Sequence, residues 1–328
     1  MDKRKAEVYR KRLLEKQDQL LRLVSKSDQD GREADEEGTQ DIADKAANAY
    51  TKEFLFHQSN DNRGAAVVSM AMGQMFQSQG RMGPAVGALQ DATNGLKAAG
   101  EKGATMASAW IALADALTRA GRGGEAGKYL DEARSIVPDL KSDALSAALL
   151  NAEGDLKFYQ GDAQGASESY DQASRLAARI SDTDLILSSK LNQAKVAISE
   201  GRARGAVSDL KNLAQKADQQ GRRSLALEAS VYLGEALLQD KNSAARTELD
   251  RALGKSEKLG LLLLQARIHY LLGTALHASG NASESGAQFK SALNLLERIQ
   301  KEPGAEHISD RADLKPMFAA ATQVAQKN

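Results

Sequence analysis

The chain has 328 residues, no cysteine and four prolines, and its 44 basic side chains are matched by 44 acidic ones. A chain of this length assembles a core without a staple, and the missing thiols exclude disulfide frameworks, thiolate zinc sites and cysteine nucleophiles. Zero net charge gives no bulk attraction to a phosphate backbone, so direct nucleic-acid binding is not expected, and no apolar run approaches the ~20 residues of a membrane span.

Aromatic residues make up only 4% of the chain, and Ala, Leu, Glu, Gln and Lys are abundant. That composition favours an all-α fold. The N-terminus carries no signal-peptide pattern, and cysteine-free composition is compatible with a cytoplasmic setting.

Residues 1–63 form a charged region with two apolar seams. Ala6, Tyr9, Leu13, Leu20 and Val24 recur at three- and four-residue steps, as do Ala43, Ala46, Ala47, Tyr50 and Phe54. Between them, Gly31, Gly38 and clustered Asp and Glu favour a turn. The pattern predicts an antiparallel helical hairpin. Residues 25–44 hold two basic and eight acidic side chains, so its tip is negative. A solvated polar loop accounts for such a tip without any further role. The stretch from Gly38 to Phe54 also resembles the coiled-coil tip of the DksA/TraR family of bacterial transcription factors, with Asp41, Asp44 and Ala46 matching its Asp-x-x-Asp-x-Ala motif. The resemblance implies a tip that enters the secondary channel of RNA polymerase. The family's four-cysteine zinc finger has no counterpart in this chain.

Residues 64–300 repeat one cadence six times. An apolar helix closes on Gly73, Ala114, Gly154, Ala194, Gly234 or Gly273, at intervals of 41, 40, 40, 40 and 39 residues. Seven residues later comes a turn, at Gly80, Gly121, Gly161, Gly201, Lys241 and Gly280. A second helix follows in each unit, carrying for example Ala85/Leu89/Ala92 or Ala166/Tyr170/Ala173. A fixed period of this length predicts a solenoid in which each unit buries its apolar face against its neighbours. In the fifth turn, which lacks glycine, Asn242 is expected to take the left-handed conformation.

The cadence resembles tetratricopeptide repeats, best in the second unit with Trp110, Leu113, Ala114, Leu117, Ala126, Leu130, Ala133 and Pro138. The resemblance implies a concave groove lined by the first helices. By repeat position its candidates are Gln74, Asp115, Arg119, Asp155, Tyr159, Lys195, Glu235 and Tyr270. Their charge is mixed, and the basic and asparagine combination that clamps a C-terminal carboxylate in some repeat proteins is absent at matching positions.

Residues 301–328 close the chain. Lys301 to Asp310, with Pro303 and Gly304, predicts a loop, and Leu314, Met317, Phe318, Ala321 and Val324 make one apolar stripe on a final helix that caps the solenoid. This ending resembles C-terminal repeat arrays of bacterial signalling proteins, including some serine/threonine kinases, without a kinase signature.

Apparent chemical motifs dissolve in context. Gly254-Lys255-Ser256 lacks the first glycine of a P-loop, which is replaced by Leu249, and no strand precedes it. Gly121-Arg122-Gly123-Gly124 is a turn between helices. His269 and His277 stand about two helical turns apart with no third ligand in pattern. No cofactor, metal or catalytic constellation is expected. The sequence therefore points to a non-catalytic scaffold binding a protein or peptide in the groove. A transcription regulator acting on RNA polymerase, or a detached regulatory part of a signalling enzyme, are the alternatives.

Overall fold

A computed structural model describes residues 61–325, with side chains through residue 320. The predicted hairpin, including Asp41, Asp44 and Ala46, lies outside the described residues. Among the described residues there is no strand. Six helix pairs follow in order: α1 (Asn62–Ser78) with α2 (Met82–Ala98), α3 (Ala104–Arg119) with α4 (Gly123–Leu140), and α5 (Asp143–Gln160) with α6 (Ala163–Arg179). Then come α7 (Thr183–Ser199) with α8 (Ala203–Gln219), α9 (Arg223–Gln239) with α10 (Ala244–Lys258), and α11 (Leu262–Ala278) with α12 (Ala282–Gln300). A short 3₁₀ turn (Ile308–Asp310) and α13 (Lys315–Ala325) complete the array.

Each pair is held at a crossing of small against large. A β-carbon on Gly73 would overlap the Leu89 side chain, and one on Gly154 would lie 2.5 Å from the Tyr170 ring. Ala114 and Ala194 occupy the same position in repeats two and four, opposite the fully buried Leu130 and Leu210. Close-packed interiors leave no slack at such a crossing, so anything larger displaces the second helix. The helices start on side-chain caps where the sequence supplies them: Asp61, Ser142, Asp162, Asp182 and Asn281 each accept a hydrogen bond from a backbone N–H in the first turn.

Burial sorts the helices into two layers. The second helix α8 buries one stripe, Ala203, Ala206, Leu210, Leu213 and Ala217. The first helix α9 is buried on several sides, through Leu227, Val231, Tyr232, Leu233 and Leu237. A helix apolar most of the way round belongs inside. First helices of successive repeats touch one another and form the inner, concave layer.

The fifth turn differs from expectation. Lys241, not Asn242, is left-handed, with φ of 55°. Asn242 instead turns its side-chain oxygen onto the Ala244 N–H at 2.9 Å, an Asx-type turn that ends the link and leaves the left-handed residue where the other repeats have glycine.

The C-terminal helix packs on α12 and α11, with Met317 and the preceding Leu314 buried. The segment before it does more than link. Residues 303–314 return to the first three repeats: Pro303 lies against Gly83, His307 against Gly121, and the Ala312 N–H donates to the Tyr159 carbonyl at 2.8 Å. Core residues of α2, α3 and α4 thus share one cluster with Ile308, Leu314 and Met317. At the opposite rim the Ser224 hydroxyl lies 3.5 Å from the Ser78 carbonyl, so repeat five meets repeat one and the concave face is curled into a ring.

Candidate functional site

Inside the ring is a chamber of about 410 Å³, floored by the first helices of repeats one to five. Its walls combine Ile111, Leu145, Leu185, Leu191 and Leu225 with Gln74, Gln77, Asp115, Arg119, Asn151, Asp155, Asn192, Lys195 and Glu228. Asp115, Asp155, Lys195 and Glu235 follow one another at 40-residue steps, each directly after the small residue of its crossing. One register position therefore writes a charge ladder along the concave side.

The ladder is paired within itself. Gln77 Nε2 donates to Asp115 at 3.0 Å, and Asp115 holds Arg119 Nε at 2.9 Å. Arg119 Nη2 reaches Asp155 Oδ2 at 3.6 Å, while Asp155 Oδ1 accepts from Tyr170 Oη at 2.6 Å and Asn192 Nδ2 at 3.0 Å. Asn192 Oδ1 accepts from Lys195 Nζ at 3.1 Å, and Lys195 pairs with Glu228 at 2.6 Å.

These contacts set the protonation states. Burial pushes the Asp155 carboxyl up to about 6, with Asp115 adding to the shift and Arg119 and Lys195 opposing it. Asp115 is the main reason that Arg119 stays firmly charged. For Lys195 burial works against the ammonium, but Glu228 and the neighbouring tyrosines outweigh it and hold the group above the ordinary lysine range. Burial likewise works against the Glu228 carboxylate, and Lys195 and Arg119 reverse the balance and lower it.

One buried donor has no such partner. Asn151, nine-tenths buried in the chamber wall, accepts from Ser189 Oγ at 3.0 Å, but its Nδ2 has no hydrogen-bond partner. A buried amide N–H left unpaired costs about 1–3 kcal/mol, which an incoming acceptor would recover.

Of the groove positions expected from the repeat register, Gln74, Asp115, Arg119, Asp155 and Lys195 come together in this chamber. Tyr159, Glu235 and Tyr270 do not. Tyr159 lies under the returning C-terminal segment, with the Arg311 guanidinium 3.8 Å above its ring. Glu235 pairs with Arg267 at 3.0 Å, and Tyr270 packs against Phe289 with ring centroids 5.9 Å apart. Register reasoning overlooked Asn151, Asn192 and Glu228. The first two lie about one helical turn before Asp155 and Lys195, so extending the ladder position along its own face would have found them.

No protein-family model matches the chain, and no curated protein matches it. Solved structures do. A Rap protein, crystallised in complex with competence and sporulation factor, superposes with a TM-score of 0.57 at 12% identity, covering 79% of this chain and 76% of that one. Yeast Tom70 gives a TM-score of 0.48 at 13% identity over 88% of this chain and 60% of its own. The fold is a tetratricopeptide-like α-solenoid. The first likeness, together with the paired helices and their crossings, carries that statement, and at this identity it concerns the fold alone. Among the described residues no helix is long and apolar enough to cross a membrane.

Proposed function

We propose that the chain is a non-catalytic scaffold that binds a segment of a partner protein on its concave face. The observation that supports this most is the unpartnered Asn151 amide in a chamber whose charges are already paired. A free N–H donor beside leucine side chains suits a backbone carbonyl flanked by an apolar residue, whereas a strongly charged ligand would find its counter-ions engaged. The volume falls in the range of small-ligand pockets, enough to seat a few residues of such a segment while the rest runs out through the open side. The Rap protein of similar fold was crystallised with a bound factor, which supports by analogy of fold a binding role.

The test is selection of a random peptide library on the full chain, followed by affinity measurement with Asn151→Ala. Enriched peptides should lose about tenfold in affinity, the worth of one good hydrogen bond. Enrichment of sequences that bind wild type and Asn151→Ala equally would place binding elsewhere. The transcription alternative rests on the motif at Asp41, Asp44 and Ala46. Equal behaviour of wild type and Asp44→Asn in transcription in vitro would remove it.

A further inference from the structure

The chamber occupies only part of the concave side. The ends of the first helices of repeats two and three, where α3 and α5 expose their last carbonyls, are covered by residues 303–314, and the contacts have the character of ligand recognition. Arg311 is almost fully buried and donates from Nη1 to the Arg119 carbonyl at 3.0 Å while its guanidinium stacks on Tyr159. A cation at helix C-termini is favoured by the partial negative charge there. Arg311 also forks onto Asp313 through Nε and Nη2 at 3.0 and 2.9 Å, and Asp313 takes a third contact from Arg267 Nη1 at 3.3 Å. The Arg267 side chain continues over the Tyr232 ring at 4.5 Å. Backbone recognition adds the Ala312 N–H on the Tyr159 carbonyl and the seating of the Pro303 and His307 carbonyls against Gly83 and Gly121.

We propose that this surface is a second peptide-binding site, specific for a segment carrying arginine two residues before aspartate, and that the chain's own residues 303–314 occupy it as a strap that can lift. The site is distinct from the chamber and does not depend on the partner-binding reading above. The strap's seat is not free of cost. Glu302, the residue just before the strap, buries its Oε2 without a partner beside Gly83, and lifting of the strap would open it to water. Arg119 belongs to both sites, with its guanidinium in the chamber ladder and its carbonyl under Arg311, so occupancy of one bears on the other.

Gly83 allows a clean test. It sits in the first turn of α2, where alanine favours the helix, yet its β-carbon would overlap the Pro303 carbonyl oxygen. Gly87 lies on the same helix with open space around its would-be β-carbon. Trypsin cleavage after Arg311 reports lifting directly, because that side chain is buried while the strap is seated. In the full-length protein, Gly83→Ala should speed this cut by about tenfold or more without loss of helix content, and Gly87→Ala should leave it unchanged. Glu302→Ala should slow it. Equal cutting in wild type, Gly83→Ala and Gly87→Ala would overturn the proposal, as would an Arg311 cut in wild type as fast as cuts at the exposed Arg179 and Arg202.

Discussion

Repeats two and four are built from the same words and finished differently. In repeat two the inter-helix turn is pressed by the returning strap, and Leu130 belongs to a large cluster that extends to Ile308 and Met317. In repeat four a β-carbon on the Gly201 turn would meet nothing, and α8 packs more extensively on α9 than on its own partner α7. An open groove of about 750 Å³ lies outside α7, lined by Lys190, Gln193, Gly205 and Asp209 among others. A solenoid unit takes its stability from its interfaces, so equal sequence marks do not give equal stability.

The largest effects should come from matched truncations. Leu130→Ala and Leu210→Ala remove the same side chain at the same register position. Repeat two, braced on both sides, should lose about 3–5 kcal/mol, and repeat four about 2–3 kcal/mol because its looser wall can collapse on the cavity. Urea unfolding measures both, and a larger loss at Leu210 would reverse the comparison.

Arg311→Ala sharpens the contrast further. It removes one member of a buried charge cluster and leaves Asp313 with Arg267 alone, at a cost of about 3 kcal/mol. Hydrogen exchange should accelerate at the ends of α3 and α5 and stay unchanged in α8. Uniform acceleration would show that the strap does not act on repeats one to three in particular.

A smaller effect depends on pH. The Asp155 carboxyl has a folded value raised from 3.8 to about 6, so its contribution is fully present below 3.8 and is lost as pH rises through about 6. Asp155→Asn should remove that component. The stability of wild type relative to the variant should fall by on the order of 2 kcal/mol between those limits. Depressed carboxyls such as Asp313 act in the opposite sense, losing stability as pH falls, and they cancel in the difference. A difference curve that is flat across the window would place Asp155 outside a dry network.

The smallest effect lies in repeat five. Lys241 holds a left-handed conformation that the other repeats assign to glycine, and Lys241→Gly should stabilise by about 0.5–1 kcal/mol, strain relief exceeding the entropy of the freer unfolded chain. Destabilisation in thermal unfolding would show that Lys241 is not strained.

The solenoid itself was legible because its determinants are local. Gly73 and Leu89, or Gly154 and Tyr170, stand on the two helices of one pair and recur with the period, so the crossing is visible in the spacing. The chamber was partly legible for the same reason, since Asp115, Asp155 and Lys195 share a register position. Arg311 was not legible. Its partners across the fold, the Arg119 carbonyl and the Tyr159 ring, are remote in sequence, and three of the strap's contacts join backbone to backbone, which no side-chain pattern encodes. Trp110 shows a further limit: it stands at one of the consensus steps of the best-matching repeat and is only partly buried, because spacing places a residue on its helix without saying how much its neighbours cover it.

Closure of the ring is what makes a chamber out of a concave face, and it can be measured without any ligand. The chain has no cysteine, so cysteines introduced at Ser78 and Ser224 would be the only attachment points for a pair of spin labels. The side chain of Ser224 reaches the backbone of Ser78 in this structure, which predicts a narrow distance distribution at the short end of the measurable range. A broad distribution centred at a separation of several helix diameters would contradict the closed ring, and with it the chamber and the seated strap.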